Sequence, residues 1–115
     1  MNEIPVNRYV DDFIRAVEAE YIERHDVEYY ADKLCITPNY LNKVIRQSLG
    51  TTAKFYIHKK LFEEAERLLV YTTLTVTEIA ERLHFDSSSY FIRFFRKQTG
   101  ITPLKYREKK NSPQK

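Results

Sequence analysis

Ala31-Asp32-Lys33-Leu34-Cys35-Ile36-Thr37-Pro38-Asn39-Tyr40-Leu41-Asn42-Lys43-Val44-Ile45-Arg46, closing on Gly50, is a pattern that the chain uses twice. Forty-nine to fifty residues later, Ala80, Leu83 and Phe85 stand for Ala31, Leu34 and Ile36, and Tyr90, Phe91, Phe94, Phe95 and Arg96 answer Tyr40, Leu41, Val44, Ile45 and Arg46. The chain has only two glycines, Gly50 and Gly100, and they hold the same place in both copies. The copies stay in step through Ile36 and Phe85, after which Thr37-Pro38-Asn39 becomes Asp86-Ser87-Ser88-Ser89. A one-residue insertion marks a turn, because turns tolerate changes of length and packed helices do not. Each copy therefore predicts helix, turn, helix.

Working outward, Val10, Phe13, Ile14, Val17, Tyr21 and Ile22 recur at helical spacing and predict an amphipathic helix over 7–23. Asp26 can cap a second helix reaching about 34, with Val27, Tyr30, Ala31 and Leu34 inward. Thr37-Pro38 opens a third that buries Leu41, Val44, Ile45 and Leu49 and stops at Gly50. A longer fourth helix over 52–70 lines its buried faces with Phe55, Ile57, Leu61, Phe62, Ala65, Leu68 and Leu69. Thr75-Val76-Thr77-Glu78 is a capping box opening a fifth, 76–83. Ser87 or Asp86 caps a sixth, which buries Phe91, Phe94 and Phe95 and ends at Gly100; Thr102-Pro103 opens a short seventh over 104–108. No segment alternates as a strand would. The expected fold is all-α: seven helices forming two helix-turn-helix units joined by a long linker helix. The expected division is 1–51 for the first helix and first unit, 52–70 for the linker, 71–110 for the second unit and terminal helix, and 111–115 for a polar tail.

The net charge of +3 hides four alternating blocks. Residues 1–35 carry nine acids against four Lys/Arg, and 61–86 carry six against two. Residues 36–60 and 87–107 have no acids and five Lys/Arg each. These acid-free blocks are the second halves of the two repeats, which predicts a face that attracts phosphate. A single block of this kind is common on solvated helices; two locked to an internal repeat are not.

Other chemistry is thin. The lone Cys35 excludes an internal disulfide, fits a reducing compartment and is expected to be buried or half-buried between Leu34 and Ile36. His25, His58 and His84 share no ligand spacing, so no metal and no cofactor is expected. Asp11-Asp12 and Glu63-Glu64 read as solvated helix faces, and Ser87-Ser88-Ser89 has no nucleophile-elbow context, so an enzyme is not expected. With no long apolar run and no signal-peptide pattern, a cytoplasmic protein without a membrane span is expected.

In a helix-turn-helix the second helix lies in the major groove and turns its outward side chains to base edges. The third helix leaves Asn39, Asn42, Lys43, Arg46 and Gln47 outside the core; the sixth leaves Ser88, Ser89, Ile92, Arg93, Arg96 and Lys97. Asn can pair bidentately with adenine N6/N7 and Arg with guanine O6/N7, while Ile92 can meet a thymine methyl. Arg46, Arg96 and Lys97 lie further along their helices, where phosphate is the expected contact. Tyr90 is open between packing and a phosphate hydrogen bond. Phe91, Phe94 and Phe95 are expected in the core rather than stacked on bases.

Arg93-Phe94-Phe95-Arg96-Lys97, then Gly100-Ile101-Thr102-Pro103 and Tyr106-Arg107, resembles the signature of the AraC/XylS-type transcription regulators, as does Leu34-Cys35-Ile36-Thr37-Pro38-Asn39-Tyr40-Leu41. The resemblance covers about 7–108. It implies a bacterial regulator's DNA-binding domain of seven helices that grips adjacent major-groove segments on one face of the duplex. Carried over by position, base contacts fall on Asn39, Asn42 and Lys43 in the first unit and on Ser88, Ser89, Ile92 and Arg93 in the second. Arg46, Tyr90, Arg96 and Lys97 remain the phosphate set. The chain departs from the family at His84, where Gly is frequent in the turn, and at Lys60, where Arg is common in the linker.

The resemblance also implies partners beyond double-stranded DNA: RNA polymerase, and a sensing or dimerisation domain that this chain is too short to include. The alternative from the residues alone is an all-helical interaction module whose basic faces meet an acidic protein. The acid-free polar faces on both second helices favour DNA. A linker over 52–70 is about 28 Å long at roughly 1.5 Å per residue, close to the roughly 34 Å between successive major grooves on one face of the duplex.

Overall fold

Six of the seven helices in the computed structural model, which describes residues 5–112, begin on a side-chain cap. The elements are α1 (Val6–Glu20), α2 (Val27–Lys33), α3 (Pro38–Leu49), α4 (Ala53–Tyr71), α5 (Val76–Arg82), α6 (Ser88–Thr99) and α7 (Pro103–Asn111), with no strand among the described residues. Asp26, Thr37, Thr52, Ser87 and Thr102 each accept a hydrogen bond from the backbone N–H three residues on. Thr75 and Glu78 complete the expected capping box: the Glu78 N–H donates to Thr75 Oγ1 at 3.0 Å and the Thr75 N–H to Glu78 Oε1 at 2.8 Å. That bond from the Thr75 backbone, first among its causes, holds the Glu78 carboxyl below its ordinary pKa. These caps satisfy N–H groups that a helix start leaves without internal partners. Gly50 (φ 71°) and Gly100 (φ 85°) end α3 and α6 in the left-handed conformation, as expected.

The chain divides into two compact units, Met1–Lys60 and Leu61–Lys115, so α4 contributes residues 53–60 to the first and 61–71 to the second. In the first unit α1 packs on α3 and α2, with Phe13, Val17, Tyr30, Leu41, Ile45 and Ile57 fully buried. The Phe13 ring meets Tyr30 edge to face at 5.9 Å. Tyr30 keeps its hydroxyl satisfied by donating to the Arg24 carbonyl at 2.7 Å, as a buried phenol must. Glu20 on α1 accepts from both Lys33 and Tyr29 on α2, which ties these helices at the surface. In the second unit α6 packs on α5 and α7, around Leu68, Leu69, Ile79, Leu83, Phe91 and Phe95. The Phe95 ring lies 5.2 Å from both Phe62 and Tyr106.

The two helix-turn-helix corners have one backbone design. In the first, Ile36 N–H donates to Ala31 O and Cys35 N–H to Asp32 O, both at 3.0 Å; in the second, Phe85 N–H donates to Ala80 O at 3.0 Å and His84 N–H to Glu81 O at 3.1 Å. This is the paired bonding of a Schellman helix end. Ala31 and Ala80 are buried and accept the longer-range bond of each pair.

Several expectations need correction. α1 stops at Glu20, with a hydrogen-bonded turn replacing its last expected residues, and α7 runs on to Asn111. Of the expected tail, residues 113–115 lie outside the described residues. Phe55 is 56% exposed, because it sits two residues from both Ala53 and Ile57 and so on the far side of the buried stripe of α4. Leu49, at the end of α3, is 39% exposed where Gly50 turns the chain away. Cys35 is exposed: its left-handed φ of 61° swings the side chain outward between the half-buried Leu34 and Ile36.

Candidate nucleic-acid interface

α3 buries Leu41, Val44 and Ile45, which leaves its other side to solvent. On that side Asn39, Lys43, Arg46 and Gln47 are exposed and Asn42 is half-buried. α6 repeats the arrangement: Phe91, Phe94 and Phe95 face inward, Ser89, Arg93, Arg96 and Lys97 are exposed, and Ser88 and Ile92 are half-buried. Helical periodicity thus brings the expected base and phosphate residues of each unit together on one face.

Tyr90 does pack: its ring meets Phe85 edge to face at 5.7 Å, and the Arg93 guanidinium lies 5.7 Å from the ring centre. At 45% exposed it still reaches solvent. The Arg93 contact restricts a long side chain before it meets any ligand. In the first unit Tyr40 meets Tyr9 edge to face at 5.7 Å.

Charge is less available than the sequence blocks suggest. Lys60 forms an ion pair with Glu18. Arg107 turns to the end of α4, donating from Nε to Leu69 O at 2.8 Å and from Nη2 to Thr72 O at 3.3 Å and Leu68 O at 3.4 Å. Carbonyls at a helix C-terminus lack internal partners, and a guanidinium fork meets several at once. The exposed cations in the acid-free blocks are then Lys43, Arg46, Lys54 and Lys59, and Arg93, Arg96, Lys97 and Lys105. The signal for Arg107 was its place seven residues after Gly100, beside the buried Tyr106, but no local pattern points to α4. Tyr106 donates to Glu66, and burial, then Glu66, pushes its phenol up to about 12.

Among the described residues no group of three or more His, Cys, Asp or Glu is placed to hold a metal ion, and no helix is long and apolar enough to cross a membrane. Two Schellman-cornered helix pairs, each offering an acid-free polar face on its second helix, define a double helix-turn-helix domain of the DNA-binding class. The profile of a family described as a helix-turn-helix domain matches residues 30–109. The chain belongs to the AraC/XylS-type transcription regulators, through their DNA-binding domain.

Relatives and solved structures agree. The chain is 32% identical over 102 residues to the Uncharacterized HTH-type transcriptional regulator YtdP of Bacillus subtilis, covering 89% of this chain and 13% of that protein. It is 27% identical over 104 residues to the Arabinose operon regulatory protein of Salmonella typhimurium, covering 90% of this chain and 37% of that one. The chain therefore spans little more than a third of these relatives' length at most. The C-terminal domain of AraT, a response regulator from Geobacillus stearothermophilus, superposes with a TM-score of 0.85 at 28% identity, over 96% of this chain and 93% of that one. The DNA-binding domain of AdpA, solved in complex with a target DNA, gives 0.73 at 26% identity over 93% of each chain.

Proposed function

We propose that this chain binds double-stranded DNA sequence-specifically to regulate transcription, with α3 and α6 entering successive major-groove segments. The observation that carries this reading is the doubled face: each second helix buries three apolar residues and exposes amide, hydroxyl and cationic side chains with no acid among them. Asn39, Asn42 and Lys43 in the first unit and Ser88, Ser89, Ile92 and Arg93 in the second are the base-edge set. Arg46, Tyr90, Arg96 and Lys97 are the phosphate set. The role is binding without catalysis. Its ligand places its action in the cytoplasm, and RNA polymerase and a sensing or dimerisation domain are the further partners that family membership supports. The four-part division, with 52–70 as linker, goes with this reading.

Selection of bound sequences from a random duplex library tests it directly. The expected product is an asymmetric site, because the two recognition faces differ. Arg93→Ala should relax preference at one base pair, losing roughly 1–3 kcal/mol of discrimination. Six phosphate contacts give a log-log salt slope of about −5. Adding half a helical turn, roughly five base pairs, between the half-sites should reduce affinity to that of one unit. A salt slope near zero, with no enriched sequence, overturns the reading.

A further inference from the structure

Asn42 belongs to the proposed base-edge set, yet its oxygen already accepts a hydrogen bond from within the protein. The backbone N–H of Ala53, the first residue of α4, donates to Asn42 Oδ1 at 3.0 Å in a part-buried contact. A backbone N–H can only donate, so the carboxamide has one orientation: oxygen toward α4, Nδ2 left over.

The internal repeat shows what this bond is for. At the offset of fifty residues, Ala53 corresponds to Pro103 and Asn42 to Ile92. Thr52 and Thr102 cap the two following helices alike, accepting from Phe55 N–H at 3.0 Å and Lys105 N–H at 3.2 Å. Pro103 has no N–H, so the first residue of α7 needs no acceptor, and the matching position on α6 carries an aliphatic residue. Where the following helix opens with an N–H, the recognition helix supplies an amide oxygen.

We propose that Asn42 is a positioning and specificity-determining residue: tethered to α4 through its oxygen, it turns Nδ2 to the groove, and so favours guanine, which presents two acceptors there, over adenine, which presents one beside a donor. Bidentate pairing with adenine needs the oxygen for N6 and the amide N–H for N7. Guanine O6 and N7 are both acceptors for the Nδ2 hydrogens, whereas adenine offers them N7 alone and sets its N6 donor beside it. This inference rests on the DNA-binding reading and revises the adenine contact that an asparagine on such a face invites.

A double-mutant cycle on the whole chain tests the tether without DNA. Asn42→Ala should lower Tm by about 4–8 °C, the size of a lost helix cap. In an Ala53→Pro background, which removes the donor as Pro103 does naturally, the same change should shift Tm little. Equal losses in both backgrounds overturn the tether. If Ala53→Pro does not fold, Asn42→Asp keeps the acceptor and should hold Tm, whereas Asn42→Leu, similar in size, should not; equal melting of these two overturns it as well.

Base-by-base competition with the same proteins tests the selectivity. At the base pair whose preference the Asn42 variants alter, wild type should favour guanine over adenine by about tenfold. Asn42→Asp, which offers acceptors only, should move the preference to cytosine. Adenine preference in wild type, or no base pair that responds, overturns the assignment of Nδ2 to the groove. Failure of wild type to bind any DNA overturns the proposed function instead and leaves the melting result standing.

Discussion

Cys35 and His84 share one backbone state, φ 61°, at corresponding corners of the two repeats. Each is the left-handed residue of a Schellman end, just before Ile36 or Phe85 closes the bond back to Ala31 or Ala80. The left-handed turn survives at His84, where the family often has glycine. A side chain in this region costs roughly 1–2 kcal/mol, of which glycine returns part through its greater freedom when unfolded. Cys35→Gly and His84→Gly should therefore each stabilise by about 0.5–1 kcal/mol, and valine at either place should destabilise. Thermal melting of the four variants checks this; glycine variants that melt lower than wild type would show that the corner side chains hold contacts worth more than the strain.

Arg107 and Arg96 look alike in a charge count but should behave oppositely. Arg107→Ala strips donors from the end of α4 and should lose about 1–3 kcal/mol of stability with the salt slope of DNA binding unchanged. Lysine should restore little, because one ammonium cannot replace the fork. Arg96→Ala, at an exposed site, should change stability by less than about 0.5 kcal/mol and reduce the salt slope by about 1. Denaturant unfolding and a salt titration separate the two. A reduced slope for Arg107→Ala would move it to the DNA face.

Tyr106 makes stability depend on pH at the alkaline end. Its pKa rises from 10.0 to about 12, chiefly through burial and then through Glu66. A folded-state pKa above the unfolded one means that the neutral phenol's contribution is full below pH 10 and is lost as pH climbs towards 12. Burial pushes Tyr30 in the same direction, so the comparison must be with Tyr106→Phe. That variant should be less stable than wild type below pH 10, and the gap should narrow between pH 10 and 12. A constant gap in denaturant unfolding would remove the linkage.

The aromatic centre of the second unit should be costly to empty. Phe91 is fully buried and Phe94 8% exposed, so Phe91→Ala should lose on the order of 3–5 kcal/mol and Phe94→Ala nearly as much. Gly100→Val should lose stability through backbone strain alone, because φ is 85° and a Cβ there meets nothing within 4 Å. Asparagine, which tolerates that region, should lose less. Unchanged melting of Gly100→Val would remove the glycine's helix-stop role.

Local chemistry carried the sequence a long way. Caps at Asp26, Thr37, Thr75, Ser87 and Thr102, stops at Gly50 and Gly100, and the inward stripes of α3 and α6 all follow from residues within one or two turns of each other. That is why the seven helices, the doubled helix-turn-helix and the face bearing the candidate contacts were legible from the chain alone. Tertiary structure alone decided where the long polar side chains end. Arg107 donates to Leu69 O, 38 residues earlier; Lys60 pairs with Glu18; Asn42 Oδ1 accepts from the Ala53 N–H. Periodicity assigns a residue to a face. It cannot say which N–H, carbonyl or carboxylate of another element will lie within hydrogen-bonding distance, because that depends on how helices pack, not on spacing along one of them.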